Sequence, residues 1–442
     1  MITAMIVVFL VGYVLIACEH PIKVNKATFA LIMCAVLWTL YALLSGADSD
    51  EVHEGVLYQL SDTCEILFFL IGAMTIVEII DRYGGFNFIT DHIHVKSKVH
   101  LMWVMAVLAF FLSAVLDNMT TTIIMVMMLR RLLSDREERW LFAGVIVLAA
   151  NSGGAWSPIG DVTTIMLWMA DKVTTMKLIT ALLLPCIMSV VVPVLIASRW
   201  VKEGEIMTVQ HREDTNRLAA EHPDLSRWIF TIGIVALIFV PVFKTWTGLP
   251  PFMGMLFSLG VMWLITEIVI RKLHIDKKLG GRVSQCIRNI DMTTIMFFLG
   301  ILMSVSALAK VGVLGEAAHG MNESIHEPFT IASVIGLLSS IVDNVPLVSA
   351  CIKMFNDPAV MAALDISYAT YFVEDGLFWH LLTFTAGVGG SLLIIGSAAG
   401  VVAMGIEKIE FFWYLRRISF IALLGYLTGI ATIWAEHAFI GL

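Results

Sequence analysis

The sequence predicts an all-α polytopic membrane protein of two inverted repeats, each with five transmembrane helices, one of them broken, and one re-entrant hairpin. Three observations carry that prediction. Of 442 residues, 59% are hydrophobic and only 14% charged, with a mean hydropathy of +0.87, too little polar surface for a soluble globule. Apolar stretches of roughly 20 residues, enough to cross about 30 Å of hydrocarbon, recur along the whole length. An aspartate followed by asparagine stands in the middle of an apolar run twice, as Asp117-Asn118 and as Asp343-Asn344, once in each half. A carboxylate near mid-bilayer costs about 2.5 to 3.5 kcal/mol even on lenient insertion scales, so two at matching places need a reason. Capping a restarted helix is the bland one, but an uncharged Ser or Asn would cap at lower cost.

Met1–Ala17 reads as the first span, because it lacks the basic start and small-residue cleavage site of a removed signal. After Lys23 and Lys26 comes a second span, Ala27–Leu44. Residues Gly46–Asp62 then carry Asp48, Asp50, Glu51, Glu54 and Asp62 without a Lys or Arg, which marks an external loop. Cys64–Ile80 is the third span. From His100 to Arg131 both flanks are basic, with Lys96 and Lys98 before and Arg130, Arg131, Arg136 and Arg139 at the end and beyond. That stretch therefore enters from the cytoplasm and returns, a re-entrant hairpin tipped by Asp117-Asn118. Span Trp140–Ala170 is interrupted over Asn151–Asp161, where Gly153 and Gly154 read as unwound backbone in preference to the alternative, close helix packing. Met176–Ser198 completes the half.

The second half repeats the order with spans Trp228–Phe243, Pro251–Ile270 and Met292–Lys310. Glu65-Ile-Leu-Phe-Phe-Leu of the third span returns as Thr294-Ile-Met-Phe-Phe-Leu. The hairpin tipped by Asp343-Asn344 has acidic flanks, Glu323 and Glu327 before and Asp357 and Asp365 after, and enters from outside. Span Gly376–Ile406 breaks over Gly387–Ser397, with Gly389 and Gly390 matching Gly153 and Gly154, and Phe411–Trp434 closes the chain. Loops assigned this way put 23 of the 28 Lys and Arg on one face and 5 on the other, the asymmetry expected of cytoplasmic loops. Both termini are then external. An odd number of crossings per half inverts the second repeat, giving a first repeat over 1–198, a cytoplasmic linker over 199–227 and a second repeat over 228–442. Inverted repeats with paired interrupted elements place substrate and coupling ions near the midplane.

Several functions are disfavoured. Nucleic acid is not an expected partner, no phosphate-binding loop is present, and no nucleophile, base and orienter are grouped as an enzyme would need. The six cysteines are scattered singly, without the spacing of a zinc site or a disulfide framework. Trp103, Trp140, Trp228, Trp379 and Trp413, near span ends, read as interface anchors. Expected partners are membrane lipid, monovalent cations and protons, with a homodimer as a possible assembly.

The two Asp-Asn tips, the Asn151-Ser152-Gly153-Gly154 break followed by Asp161, and the inverted halves resemble the ion transporter superfamily. The likeness is strongest to the NhaD-type sodium/proton antiporters and spans essentially the full length. It implies a multi-pass protein of the cell (inner) membrane that exchanges internal Na⁺ or Li⁺ for external H⁺, with no cofactor beyond these transported ions. Carried over residue by residue, ion binding falls on Asp117, Asn118 and Thr120 in the first tip and on Asn151, Asp161, Thr163 and Thr164 at the first break. It falls also on Asp343 and Asn344 in the second tip, with Na⁺ held by Asp117, Asn118, Asp343 and Asn344. Ser113, Ser339, Ser391 and Ser397 line the same elements as supporting residues, and Glu65 is the buried acid of the third span.

The chemistry of these residues is consistent with that expectation. Na⁺ is a hard ion that wants oxygen ligands, which carboxylates, amide carbonyls, hydroxyls and freed backbone carbonyls supply. In a partly dry site a proton and a metal ion compete for one carboxylate. The halves differ, since Asp161-Val162-Thr163-Thr164 corresponds to Ser397-Ala398-Ala399-Gly400, so the third acid either titrates or only caps the following helix. Glu65 either titrates or snorkels to the external face. The same architecture also suits a carrier of a dicarboxylate or other oxyanion, which two or three aspartates at the tips would repel.

Overall fold

Hydrocarbon offers no water to satisfy a backbone N–H or C=O, and among the described residues every regular element is a helix. The computed structural model describes the chain except residues 18, 87–94, 96, 202–222, 273–281, 326, 342–343, 357, 363 and 441–442. The first half runs α1 (Ile2–Ala17), α2 (Lys26–Leu44), α3 (Ser49–Arg82), α4 (Lys98–Ser113), α5 (Asn118–Leu132), α6 (Arg136–Ala155), α7 (Val162–Met169) and α8 (Thr175–Ser198). The second runs α9 (Pro223–Thr247), α10 (Pro251–Lys272), α11 (Met292–Lys310), α12 (Pro328–Leu338), α13 (Asn344–Phe355), α14 (Leu377–Gly389), α15 (Ala398–Glu407) and α16 (Phe411–Ile440), with further helices between, among them Val313–Ser324. Among the described residues, seven helices are long and apolar enough to cross a membrane, and the chain is a multi-pass membrane protein.

Each expected hairpin is made of two helices: α4 ends at Ser113 and α5 begins at Asn118, and α12 ends at Leu338 and α13 begins at Asn344. Both expected breaks are present but begin later than the glycines suggest. Asn151–Gly154 remain in α6, and the chain leaves the helix only from Trp156 to Asp161; Gly387–Gly389 remain in α14, and the gap is 390–397. The glycines serve close packing instead of unwinding. A Cβ on Gly153 would fall on the Phe110 carbonyl of α4, and one on Gly389 would fall on the Gly336 carbonyl of α12. The serines that follow make matching bonds: Ser113 Oγ donates to the Ala150 carbonyl at 2.6 Å, and Ser339 Oγ to the Ala386 carbonyl at 2.8 Å.

Two further expectations are corrected. The acidic stretch Gly46–Asp62 is no loop from Ser49 onward, because α3 is one helix of 34 residues, about 51 Å long at 1.5 Å per residue. Asp48 caps it through a 2.7 Å bond from the Ser49 N–H, and Asp50 and Glu51 suit the positive end of its dipole. Acidity bears on the side of the membrane a stretch is expected to face, not on whether it is helical. Likewise Trp140 and Trp379 are not interface anchors. Both are buried, with Trp140 Nε1 donating to the Glu407 carbonyl at 3.0 Å and Trp379 Nε1 to the Phe372 carbonyl at 2.9 Å. Most of the expected linker, 202–222, lies outside the described residues, and α9 already begins at Pro223. The five described cysteines are free.

Candidate ion-binding site

Four half-helices, α5, α7, α13 and α15, begin next to one another at the two tips and two breaks. Each start leaves N–H groups that the helix cannot satisfy internally. At α5 the first is met by Asp117, whose Oδ1 accepts from the Thr120 N–H at 2.7 Å while Oδ2 accepts from the Thr120 hydroxyl at 2.6 Å. At α7 Asp161 Oδ1 accepts from the Thr163 N–H at 3.4 Å, a long and weak cap, and at α15 Ser397 Oγ accepts from the Gly400 N–H at 3.1 Å. The capping reading of the aspartates is therefore part of what they do. It does not exhaust them, since an ionised carboxylate can accept about four hydrogen bonds.

Asn151 joins the halves. Its Oδ1 accepts from Asn118 Nδ2 at 3.1 Å, and its Nδ2 donates to Ser391 Oγ at 2.8 Å and to Ser397 Oγ at 2.9 Å. One buried amide thus bridges the first tip, the first break and the second break. The second tip is tied in separately, with Asn344 Nδ2 donating to Asp161 Oδ2 at 3.5 Å. Asp161 is 2% exposed, and Thr163 and Thr164 beside it are fully buried with hydroxyls that have no hydrogen-bond partner among the described residues. Thr121 and Thr122 on α5 are in the same state. Buried hydroxyls without partners are costly unless something else completes them.

Most of the expected site residues are thus brought together: Asn118, Asn151, Ser391 and Ser397 in one network, Asp161 and Asn344 in another, Asp117 with Thr120, and Ser113 and Ser339 clamping each tip to its broken helix. Asp343 lies outside the described residues. Glu65 does not join them. It lines a cavity of about 220 Å³ with Asp62, Met166, Ser349 and Lys353. Asp117 and Asn118 line a second, tighter cavity of about 70 Å³ with Phe69, Thr294 and Ala398. Sequence reasoning missed Ser157, whose hydroxyl donates to the Ala114 carbonyl at the first tip, and Tyr414, whose hydroxyl donates to the Ser391 carbonyl at 2.8 Å. Ser157 stood inside the quoted break; nothing local marks Tyr414. Among the described residues no three His, Cys, Asp or Glu side chains converge on one point.

Residues 13–373 match the family described as CitMHS, citrate transporter. "Sodium/proton antiporter 2" of Arabidopsis thaliana is 41% identical over 98% of this chain and 100% of its own length, and "Sodium/proton antiporter 1" of the same plant is 42% identical over 98% of this chain and 72% of its own. "Na(+)/H(+) antiporter NhaD" of Vibrio cholerae serotype O1 is 28% identical over 97% of this chain and 90% of its length. The chain belongs to the CitMHS family of membrane transporters, is similar to the NhaD-type antiporters, and is a transporter, not an enzyme.

Proposed function

We propose that this protein exchanges cytoplasmic Na⁺, or Li⁺, for external H⁺ by alternating access at a midplane site lined by Asp117, Asn118, Thr120, Asn151, Asp161, Thr163, Thr164, Asp343 and Asn344. The observation that carries the reading is Asp161: a buried carboxylate from the first break that accepts from Asn344 of the second tip, beside two hydroxyls with no partner among the described residues. Such a group binds a small hard cation through oxygens and releases it on protonation. Asp117 and Asp343 complete the acids, and Na⁺ and H⁺ compete for them. The relatives' names point the same way. The matched glycine and serine contacts of the two halves support inverted repeats over 1–198 and 228–442, with the tips opening to opposite faces. In this reading the protein sits in the cell (inner) membrane with both termini outside.

The family description favours a second substrate, citrate. An oxyanion needs free N–H donors or cations, whereas the N-termini of α5 and α7 are occupied by aspartate carboxylates. Purified protein in liposomes, given an inward Na⁺ gradient and an internal pH dye, tests both. Alkalinisation of the lumen by Na⁺ or Li⁺, unaffected by citrate, is the expected result. Citrate uptake without Na⁺-driven proton movement would overturn the proposal.

A further inference from the structure

A further cavity, of about 140 Å³, lies apart from the ion site, where the start of α6, the end of α8 and the start of α16 come together. Its wall carries charges of both signs that do not meet. Arg417 of α16 lines it together with Asp135, Glu137 and Glu138 from the start of α6, yet among the described residues no ion pair joins the guanidinium to any of the three. Two of the acids are engaged elsewhere: Asp135 Oδ1 accepts from the Glu138 N–H at 2.8 Å, and Glu138 Oε1 lies 2.8 Å from Lys98 Nζ. Glu137 and Arg417 are exposed and have no hydrogen-bond or ion-pair partner among the described residues. Trp200 and Trp413 complete the wall, and Trp413 is steadied by Trp140, their ring centroids 5.3 Å apart and tilted by 71°. Along α16, Trp413, Arg417 and Phe420 recur at i, i+4 and i+7 and so share one face. Phe420 is 61% exposed, and Leu427, seven residues further on, is 51% exposed. The charged cavity therefore passes into an apolar track along a helix long enough to cross the membrane.

We propose that this cavity binds the headgroup of a zwitterionic phospholipid with a primary ammonium, its phosphate on Arg417, its ammonium on Glu137 and an acyl chain along Phe420 and Leu427. Opposite charges held apart around one cavity suit a ligand that carries both, whereas an anion alone would meet the carboxylates and a cation alone the guanidinium. The planar fork of arginine matches phosphate oxygens, and an ammonium over an indole face gains cation–π attraction. The N–H groups of a primary ammonium donate to carboxylate oxygens, which a trimethylated ammonium cannot do. The apolar track selects a lipid over a free zwitterion, since only the lipid has chains to cover it. The positive-inside reading puts these helix ends at the cytoplasmic leaflet, at the headgroup level where tryptophans of membrane proteins gather. Lipid binding here is independent of which ion the transport site carries.

Delipidated protein in detergent, given one phospholipid at a time, tests this by thermal unfolding and by native mass spectrometry of retained lipid. Phosphatidylethanolamine is expected to raise the melting temperature and to stay bound more than phosphatidylglycerol, which has no ammonium, or phosphatidylcholine, whose ammonium has no N–H. Arg417→Gln lowers the affinity for phosphatidylethanolamine about tenfold, the scale of one charge-assisted hydrogen bond. Glu137→Gln lowers it by a similar factor and brings phosphatidylethanolamine level with phosphatidylglycerol. Both side chains are exposed, so the lipid-free variants melt close to the parent and the lipid-dependent increment is the readout. Should Arg417→Gln not be recovered folded, Arg417→Lys, which keeps the charge and loses the fork, gives a smaller loss in the same direction. An increment equal for all three lipids, greatest for phosphatidylglycerol, or unchanged in either variant would overturn the site, because the headgroup is held at both ends. Soluble phosphoethanolamine, which has no acyl chain, giving the full increment at the same affinity would overturn the lipid as its occupant.

Discussion

Asp161 both caps α7 and faces Asn344, so substitutions separate the two roles. Asn caps a helix about as well as Asp and cannot titrate. Asp161→Asn is expected to fold in normal amount and to lose at least about tenfold in Na⁺-driven proton movement, in keeping with a pKa unit being worth about 1.36 kcal/mol. Normal exchange with a normal pH profile would reduce Asp161 to a cap. Thr163 and Thr164 give a second separation. If their unpartnered hydroxyls serve only structure, they serve it badly, and isosteric valine leaves thermal stability equal or higher. Thr164→Val should therefore keep its melting temperature while its apparent Na⁺ affinity falls several-fold; unchanged affinity would remove Thr164 from the site. Asn151→Ala differs from both, since it strands Asn118, Ser391 and Ser397 at once. A loss of about 1 to 3 kcal/mol for each buried group left unsatisfied predicts a marked fall in melting temperature along with transport.

At the level of elements, the sequence made the hairpin tips and the two broken helices readable because a mid-membrane carboxylate and paired glycines are expensive or unusual in a plain span. It did not say what the glycines are for. Gly153 and Gly389 look like unwinding signals in one dimension and are contact points in three, each resting on a carbonyl of its own hairpin. Gly153→Ala should press the new methyl onto the Phe110 carbonyl, and overpacking of this kind costs about 1 to 3 kcal/mol. Reduced yield of folded protein, recovered by no smaller change elsewhere on α6, is the expected outcome. Full stability would mean that α4 and α6 separate at little cost. The helical extension of α3 was unreadable for a different reason: charge patterning reports depth in the membrane, and Asp48, Asp50 and Glu51 start a helix as readily as they mark a loop.

For the whole molecule, the positive-inside count predicts an orientation on which the hydrogen bonds do not bear. Single cysteines at exposed Asp48 and Asp365 are expected to react with an impermeant reagent added outside, and one at exposed Glu137 only after the membrane is opened. External labelling at 137 would invert the scheme. Many of the residues that the structure links by hydrogen bonds were legible in the sequence, namely Asn118, Asn151, Asp161, Asn344 and the four serines. Their connection was not. Asn151 reaches Ser397 across 246 positions and Arg139 reaches Glu407 across 268, separations at which no periodicity or motif speaks. Glu65's place is likewise a three-dimensional matter: it lines the cavity between α7 and α13.

Competition between Na⁺ and H⁺ for the same carboxylates is the centre of the proposed mechanism, and initial rates in proteoliposomes from about pH 6.5 to 9.5 at several Na⁺ concentrations test it most directly. If one proton blocks one cation, the apparent Na⁺ constant rises about tenfold for each unit the pH drops below the apparent pKa of the site, while the maximal rate stays nearly level. Two apparent pKa values would belong to the coupled aspartates as a group. A Na⁺ constant that holds steady across the range, with only the maximal rate changing, would contradict shared-site competition and place proton control on a separate group.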